Sequence, residues 1–537
     1  MKKPASQIFL GFDASTQSLT AVLIDHPAGR ILSVTRVDYD RDLPSFGTEH
    51  GVVRQRDGQV VHAPPLLWAA ALDLLLLNMR REGLPLDRVQ AVCGAAQQHG
   101  TVYLADAADR LLATLDPALP LAHQLQDLFT RATSPVWMDA STDLQCAQIR
   151  SALGGAAAAA MITGSNISER FAGPQIRKFY QLEPHAYAAT RHIALVSSFM
   201  ASLLAGRIAP IDLGDGAGTN LMNIHRMAWD ARAVEATAPG LRSKLPPLAP
   251  PDTLLGSIHP YFATRYGLYP KAQAALWTGD NPASLIGTGL ITAAQRAVSL
   301  GTSDTCFGPL PTCRTDPAAC GHVFGSPAGG TMALQCFRNG SLARDRLRRH
   351  FNLDWDGFSK ALRSRPPGNG GALMLPWFEP ESTPRVLQPG ARSQCLPPGD
   401  AAANCRALVE GQMLSMRRHC AWMGSSFESL AATGGASRNR EILQVMADVF
   451  ECPVYRAGIP ESAALGAALC AAHAWYRAEA DPISWDDAVA GFTRQPSGST
   501  IHPRAGTASI YRDMVRRHAA FEEAVLEKLS KEVGTPL

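Results

Sequence analysis

The sequence predicts an α/β protein made of two related halves, and three observations support this fold class. The 537 residues exceed the length of an ordinary single domain, so two or more domains are expected. Apolar stretches with the length of strands alternate with helical stretches along the chain. The segments 8–25 and 297–307 share one layout, in which a strand, a turn of small hydroxylic residues and a second strand follow one another. Because each segment opens one half of the chain, the pattern indicates an internal duplication of low sequence identity.

The composition is that of a globular protein with a small net charge. Hydrophobic residues make up 46% and charged residues 18% of the chain, and the formal net charge is +3. No block of Lys and Arg stands out, so nucleic acid is not an expected partner, and a phosphorylated ligand would need local donors. No apolar run reaches the roughly 18 residues of a membrane span, and the N-terminal apolar stretch is too short for a signal peptide. Neither a membrane nor secretion is therefore expected.

The 11 cysteines do not form a disulfide or zinc pattern. Their number is odd, no two stand in a C-x-x-C pair, and Cys93, Cys306 and Cys336 lie in apolar runs typical of a core. A reducing, cytoplasmic environment is therefore expected.

The first hairpin offers a possible phosphate site. A strand at 8–13 ends in Asp13, and the turn 14–18, which contains Thr16 and Gln17, presents hydroxyls and free backbone N–H groups. Asp13 would hold a water on Mg²⁺, a cation that prefers oxygen ligands and keeps most of its waters. An ordinary hairpin with a solvated aspartate is the alternative.

Polar residues also follow later strands of the first half. His99 comes after the strand 89–94, beside two glutamines and a glycine, a setting that suits either a sugar-binding or a purely structural histidine. Arg170 lies in a polar loop. We also expect a strand at 134–139 and an apolar helix at 193–205.

The second half begins with the most informative stretch, 274–284. An apolar strand ends there in Gly279, Asp280 and Asn281, and Gly279 allows the chain to turn. Because catalytic groups often lie at strand ends in α/β folds, Asp280 is a possible general base, and Asn281 could hold a substrate hydroxyl. A simple turn would use the same residues. Few long apolar runs precede this stretch, so we place the domain boundary at 270.

A second hairpin and a glycine-rich turn follow. The turn 301–303 within the hairpin 297–307 could grip a polyphosphate from the side opposite to the first turn. Farther on, the strand 430–433 leads through 434–435 into the helix 441–450. This arrangement suits a nucleotide, because glycine lets the backbone approach and a helix N-terminus favours phosphate. A tight turn without a ligand is the alternative, and the pattern is neither a P-loop nor GxGxxG.

Two further segments carry no evident chemistry. The helix 461–472 consists mostly of small residues, which suits close packing behind the glycine-rich turn. The segment 380–398 is rich in proline and is expected to be an exposed excursion.

Nine segments carry a resemblance to a known family. They follow the family's order over almost the whole chain, and the last is long and specific: FLGFDASTQS, QQHGTVYL, SPVWMDASTDLQC, SERFAGPQI, LVSSFMASLLAG, WTGDNPASL, VSLGTSDT, CFRNGSL and ATGGASRNREILQVMADVF. The chain resembles the FGGY carbohydrate kinases. DRDLPSFGT in the early loop points to the branch, of animal type, that phosphorylates xylulose rather than glycerol.

The resemblance implies a fold and a reaction. The fold would be α/β, with two ribonuclease-H-like domains of the actin and hexokinase type at 1–270 and 271–537 and the active site in the cleft between them. The first domain would bind the sugar, and the second would supply the catalytic base and bind ATP. The reaction would convert ATP and D-xylulose to ADP and D-xylulose 5-phosphate. A kinase for another ketose or polyol, such as ribulose, and a non-catalytic actin-like ATP-binding protein are the alternatives, and the chain could be a monomer or a homodimer.

By position, the resemblance assigns roles to individual residues. Asp280 matches the catalytic base, and Asp13 matches a carboxylate associated with Mg²⁺ through water. The open-chain ketopentose would contact His99, Arg170, Asp280 and Asn281. ATP would contact Asp13, Thr16, Gln17, Gly301, Thr302, Ser303, Trp355, Gly434, Gly435, Ala436 and Asn439. Many bacterial members have Gly-Gly-Gly-Asp at 277–280 and Gln-Met-His-Gly at 97–100, and both differences keep the chemical residue.

Overall fold

A computed structural model describes residues 6–55, 58–424, 427–458, 461–493 and 498–533. Two large sheets, several small ones and helices of up to 27 residues make up the protein, so the predicted α/β class is confirmed. The α-helices of the described chain are Tyr39–Asp42, Pro65–Arg81, Ala108–Ala113, Leu121–Gln124, Asp143–Ala152, Ala156–Thr163, Ala172–Leu182, Pro184–Ala189, Val196–Ala205, Leu213–Ala217, Ala231–Thr237, Pro260–Tyr266, Asp280–Gly287, Ser341–His350, Trp355–Ser364, Ala401–His419, Arg440–Phe450, Ser462–Ala478, Trp485–Val489 and Thr507–Val533.

The first large sheet is built around the strand Gln7–Ala14. This strand pairs antiparallel with Ser18–His26 and parallel with Val89–Ala96, and Thr278–Gly279 also pairs parallel with the latter. From one edge to the other, the strands are Leu254–Ser257, Gln273–Ala275, Val89–Ala96, Gln7–Ala14, Ser18–His26 and Arg30–Asp38.

The second large sheet repeats this arrangement. Its strand Gln295–Leu300 pairs antiparallel with Asp304–Leu310 and parallel with Ser429–Thr433. Across the sheet the strands are His322–Gly325, Thr331–Phe337, Asp304–Leu310, Gln295–Leu300, Ser429–Thr433 and Val454–Arg456. In both sheets, a hairpin adds its strands on one side of the first strand and a parallel strand lies on the other side. This shared order agrees with the internal duplication that the two hairpins predicted.

Shorter strands form small separate sheets. They are Val53–Arg54, Val61–Ala63 and Ser134–Pro135 in one sheet, and the pairs Thr101–Ala105 with Thr190–Leu195, Ile211–Asp212 with Leu248–Ala249, Met222–Asn223 with Ala228–Trp229, and Leu373–Leu375 with Arg392–Gln394. Among the described residues, no helix combines the length and the apolar character needed to cross a membrane.

The small-residue helix Ser462–Ala478 packs in a different place from the one predicted. It lies against the first sheet, where Ala464 and Ala468 join a buried cluster with Phe9 and Val22. It also contacts the helix Asp280–Gly287 so closely that a Cβ on Gly466 would overlap the carbonyl oxygen of Ala283. The chain therefore returns, near its end, to complete the core of the first half.

Two elements have other bounds than the sequence predicts. The run 193–205 is not one helix: the strand Thr190–Leu195 pairs with Thr101–Ala105 before the helix Val196–Ala205 begins. The strand expected at 134–139 is only Ser134–Pro135, because pairing with a short strand ends there. An apolar run alone does not distinguish a buried strand from a buried helix, and neighbouring strands decided both cases.

The expected domain boundary at 270 falls inside the first sheet. Gln273–Ala275 and Thr278–Gly279 both pair with Val89–Ala96, and the second sheet begins only at Gln295. We therefore propose that the two halves meet at the connection 288–294.

Candidate active site

A cleft of about 940 Å³ separates the two halves and is lined by both. Six of the residues predicted to take part in binding or catalysis line this cleft: His99, Arg170, Asp280, Asn281, Thr302 and Ser303. His99 and Asp280 come together because they follow the parallel strands Val89–Ala96 and Thr278–Gly279 at the same edge of the first sheet.

Asp280 stands at the first position of the helix Asp280–Gly287 and is partly exposed. Its Oδ1 accepts hydrogen bonds from the backbone N–H of Asn281, at 2.8 Å, and from Asn281 Nδ2, at 3.0 Å. The same Nδ2 donates to Gln98 Oε1, at 3.0 Å. Burial raises the pKa of Asp280 to about 6, against the opposing hydrogen bonds from Asn281. The carboxylate is therefore ionised at neutral pH but has the proton affinity that suits a general base.

Three further aspartates lie around Asp280. Burial raises the pKa of Asp13 to about 8, and the charges of Asp280 and Glu461 raise it further. Asp215 has a pKa raised to about 8 by burial and by the neighbouring aspartates, and Asp212 has one raised to about 6 by burial. Within the described ranges, one Oδ1 atom of each of these three residues is buried without a hydrogen-bond partner. Because these carboxyl groups crowd one another, a cation bound among them would lower their pKa values and favour their ionised forms.

His99 is buried and neutral. Its backbone has a φ of 75°, its Nδ1 lies 2.7 Å from the carbonyl oxygen of Gly218, and its ring stacks on Phe171 at 4.1 Å between centroids. Burial lowers the pKa of His99 to about 3, and the charge of Arg170 lowers it further. Because a carbonyl can only accept, Nδ1 carries the proton, and Nε2 is left as an acceptor for a hydroxyl group.

The cleft also has a set of free guanidinium groups. Arg54, Arg170, Arg338 and Arg385 line it, and none of them has a carboxylate partner in the part of the chain that the structure describes. They offer hydrogen-bond donors for a phosphorylated compound on cleft walls that also carry the carboxyl groups of Asp139, Glu169 and Glu381.

The two hairpin turns are held in different ways. In the first, Trp137 Nε1 donates to Thr16 Oγ1 at 2.9 Å, while Gln17 is exposed and Asp13 lies behind the turn. In the second, the backbone N–H of Ser341 donates to the carbonyl oxygen of Gly301 at 2.8 Å. A buried ion pair follows that turn directly: Arg344 donates to both oxygens of Asp304, at 2.8 Å each.

The glycine-rich turn lies next to the second hairpin. Gly434 has a φ of 79°, and a Cβ there would lie 2.6 Å from the carbonyl oxygen of Leu300, so only glycine fits. Asn439 caps the helix Arg440–Phe450 by accepting from the N–H of Glu441 at 3.0 Å. The turn formed by Gly434, Gly435 and Ala436 therefore begins beside Leu300, the residue that precedes the hairpin turn 301–303.

Trp355 is set apart from the cleft wall. It opens the helix Trp355–Ser364 and is 47% exposed, with the Arg348 guanidinium 5.2 Å from its ring centre. The same helix carries Ser359, whose Oγ accepts from Asn439 Nδ2 at 2.9 Å. The helix thus connects Trp355 to the glycine-rich turn.

The sequence analysis missed several cleft residues. Asp212 and Asp215 lie buried near Asp280, and the glycines and aspartates of the stretch 206–218 by themselves indicate only a loop. His322, Arg338 and Arg385 reach the cleft from a strand, a strand end and the proline-rich segment. No local motif marks these three, because only the packing of the second half brings them to the cleft.

Comparisons with known proteins agree with this architecture. The N-terminal domain model of the FGGY family of carbohydrate kinases matches residues 128–287, and the C-terminal domain model matches residues 296–475. The chain is 41% identical to a xylulose kinase from Rattus norvegicus, over 97% of both chains, and 40% identical to xylulose kinase 2 from Arabidopsis thaliana, over 98% of both.

Solved structures share the fold. A xylulose kinase from Rhodospirillum rubrum superposes with a TM-score of 0.82 at 19% identity, covering 97% of this chain and 99% of that one. A gluconate kinase from Lactobacillus acidophilus gives 0.81 at 16% identity, covering 97% and 98%. With both domain models matched in order and relatives aligned over nearly the whole length, the chain belongs to the FGGY family of carbohydrate kinases.

Proposed function

We propose that this protein transfers the γ-phosphoryl group of ATP to D-xylulose, giving ADP and D-xylulose 5-phosphate. The relatives named xylulose kinase, at about 41% identity over 97% of the chain, support the sugar. The observation that carries the chemistry is the position of Asp280, a carboxylate with a raised pKa at the floor of a cleft between two halves.

In this reaction, Asp280 accepts the proton of the primary hydroxyl group of the sugar as that oxygen attacks phosphorus. A positioned base of this kind contributes roughly 10²–10⁴ to the rate. Asn281 holds the carboxylate through its backbone and side-chain N–H groups, so that one carboxylate orientation faces the cleft.

His99, Arg170 and Asn281 would bind the open-chain ketose. The unprotonated Nε2 of His99 accepts a hydrogen bond from a sugar hydroxyl, and the Arg170 guanidinium donates to sugar oxygens. The ring of Phe171, which stacks on His99, keeps the histidine in one orientation.

Asp13 fits a site for Mg²⁺ that binds through water. Its buried Oδ1 lacks a hydrogen-bond partner within the described ranges, and the charges around it raise its pKa, so a cation there relieves an unfavourable arrangement. When bound, Mg²⁺ supplies positive charge to the phosphate oxygens.

The phosphates of ATP would lie between the two hairpin turns. Thr16 and Gln17 present the first turn, and the turn 301–303 presents hydroxyls and backbone N–H groups from the other half. Gly434, Gly435 and Ala436 would hold the adenosine, with Trp355 beside it; because the Asn439 side chain caps a helix, that residue would shape the turn.

The cytoplasm is the compartment we propose. All 11 cysteines are free thiols, and most of them are buried, which suits a reducing environment.

The proposal is tested by ADP release across a panel of ketoses and polyols, with ATP and Mg²⁺ at saturation. D-Xylulose should give the highest kcat/KM, well above that of ribulose, gluconate and glycerol. A higher kcat/KM for another sugar would identify that sugar as the substrate instead of D-xylulose. ATP turnover that no sugar stimulates would overturn the kinase assignment.

A further inference from the structure

A second cavity, of about 480 Å³, lies in the second half of the molecule and shares no lining residue with the catalytic cleft among the residues that the structure describes. It opens between the end of the helix Ser341–His350 and the last part of the proline-rich segment 380–398. None of the roles derived above uses it.

The rim of this cavity is cationic. Arg346, His350 and Arg392 line it, and within the described ranges no carboxylate does. Arg346 lies 3.5 Å from Glu379, but the two side chains are 62% and 57% exposed, so this ion pair is weak and leaves the guanidinium available. Arg392 donates only to backbone carbonyls, at 2.5 Å to that of Gly390, and its charge is not neutralised there.

The floor of the cavity is apolar. Phe351, Phe378 and Leu396 are partly exposed in it, and the Arg346 guanidinium lies 5.3 Å from the ring centre of Phe378. Covering this apolar floor with an apolar group is favourable, because it removes apolar surface from water. A cationic rim around an apolar floor is complementary to a molecule with an apolar body and one anionic end.

Two elements join this cavity to the catalytic cleft. The helix Ser341–His350 starts at the phosphate-binding turn, where the backbone N–H of Ser341 donates to the carbonyl oxygen of Gly301. The segment 380–398 lines the cleft with Arg385 near its start and the second cavity with Arg392 and Leu396 near its end. A ligand in the cavity would therefore contact the elements that shape the cleft.

We propose that this cavity is an effector site for an amphipathic organic anion. The anionic group lies between Arg346 and Arg392, and the apolar body rests on Phe351, Phe378 and Leu396. The proline-rich segment then contributes to the walls of both sites.

A set of eight-carbon compounds with different head groups tests this site in the full-length protein. Octyl phosphate, 1-octanol and octyltrimethylammonium are titrated calorimetrically with ADP, Mg²⁺ and D-xylulose at saturation, which keeps the cleft occupied. Octyl phosphate should bind at least about tenfold more tightly than octanol, and the cation should bind more weakly than both. Equal affinities for the three compounds would overturn the proposal.

Variants locate the site. Arg346→Gln and Arg392→Gln should each weaken the binding of octyl phosphate about tenfold and leave the affinity for octanol unchanged. Arg349→Gln is the matched control, because Arg349 lies on the same helix but is 73% exposed and pairs with Asp345 at 2.6 Å. Unchanged affinity in both rim variants, or an equal loss in Arg349→Gln, would refute the site.

Two further measurements distinguish an effector site from a site without regulatory effect and from a contact between two copies of the chain. Octyl phosphate should change the KM for ATP of the wild type but not of Arg346→Gln; binding without any change in KM would refute an effector role. In sedimentation at increasing concentration, self-association that Arg346→Gln abolishes would assign the cavity to a second copy of the chain and overturn the proposal of a small anion.

Discussion

At the scale of the residue, the chemistry depends on how burial sets proton affinities. Asp280 combines a raised pKa with two hydrogen bonds from Asn281, whereas His99 combines a lowered pKa with a hydrogen bond to a carbonyl. Desolvation disfavours the charged form in both cases, and it therefore shifts an acid upward and a base downward. The result is a proton acceptor and a neutral hydrogen-bond acceptor that lie in one cleft.

The first prediction at this scale concerns Asp280 itself. Asp280→Asn should lower kcat by roughly 10²–10⁴, because the amide keeps the shape but cannot take the proton. Binding of ADP, measured by calorimetry, should stay within about twofold of the wild type. Turnover close to that of the wild type would remove Asp280 from the role of base.

The second prediction concerns pH. Because the base must be ionised and its pKa is about 6, kcat/KM for the sugar should fall as the pH drops through about 6 and should level off above it. The measurement is kcat/KM from pH 4.5 to 8, with the stability of the protein checked at each pH. The residual activity of Asp280→Asn should not show this decrease. If the activity of the wild type instead falls near pH 4, burial does not raise the pKa of the Asp280 carboxyl.

At the scale of the element, a close helix contact joins the middle of the chain to a segment of its last quarter. The helices Asp280–Gly287 and Ser462–Ala478 approach so closely that Gly466 lies against the backbone of Ala283. The sequence analysis recognised the small residues of the second helix but placed the helix behind the glycine-rich turn. Small residues indicate that a neighbour is close, but they do not identify the neighbour.

The prediction at this scale is that Gly466→Val destabilises the protein by at least about 3 kcal/mol, because the added methyl groups force the helices apart. The free energy of unfolding in urea measures this change. Gly399→Ala is the control and should stay within about 0.5 kcal/mol, since a Cβ at Gly399 meets no atom within 4 Å. A similar stability for both variants would contradict the close contact.

At the scale of the whole molecule, the two halves are not separate lengths of chain. The first sheet is completed by residues from near the C-terminus: Ala464, Leu465, Ala468 and Leu469 pack in one cluster with Phe9, Val22 and Ala91 of that sheet. Asp280, the proposed base, begins the helix that packs on this late segment. Folding of the first half and assembly of the active site are thus coupled.

The prediction at this scale concerns a fragment. The fragment 1–290 should show no cooperative thermal transition by circular dichroism, because its sheet lacks the helix Ser462–Ala478 and leaves a large apolar face uncovered. The full chain is the control. A cooperative transition in the fragment, with dispersed amide signals in an NMR spectrum, would contradict the prediction.

The sequence by itself determined the local units of this protein. Both hairpins, the strand end at Asp280 and the glycine-rich turn before the helix Arg440–Phe450 depend on residues within a short distance along the chain, and periodicity and turn chemistry describe such units well. The α/β class followed from the alternation of strands and helices, and the family followed from the order of these units.

Only the tertiary structure decided which of these units meet. Asp13, Asp212, Asp215 and Asp280 form one cluster of carboxyl groups although up to 267 positions of sequence separate them. Arg385 enters the cleft from a segment without a recognisable motif. Local sequence patterns do not identify such distant neighbours, because a strand or helix has the same periodicity whichever element it packs against. Burial, and with it each pKa in the cleft, exists only once those neighbours have come together.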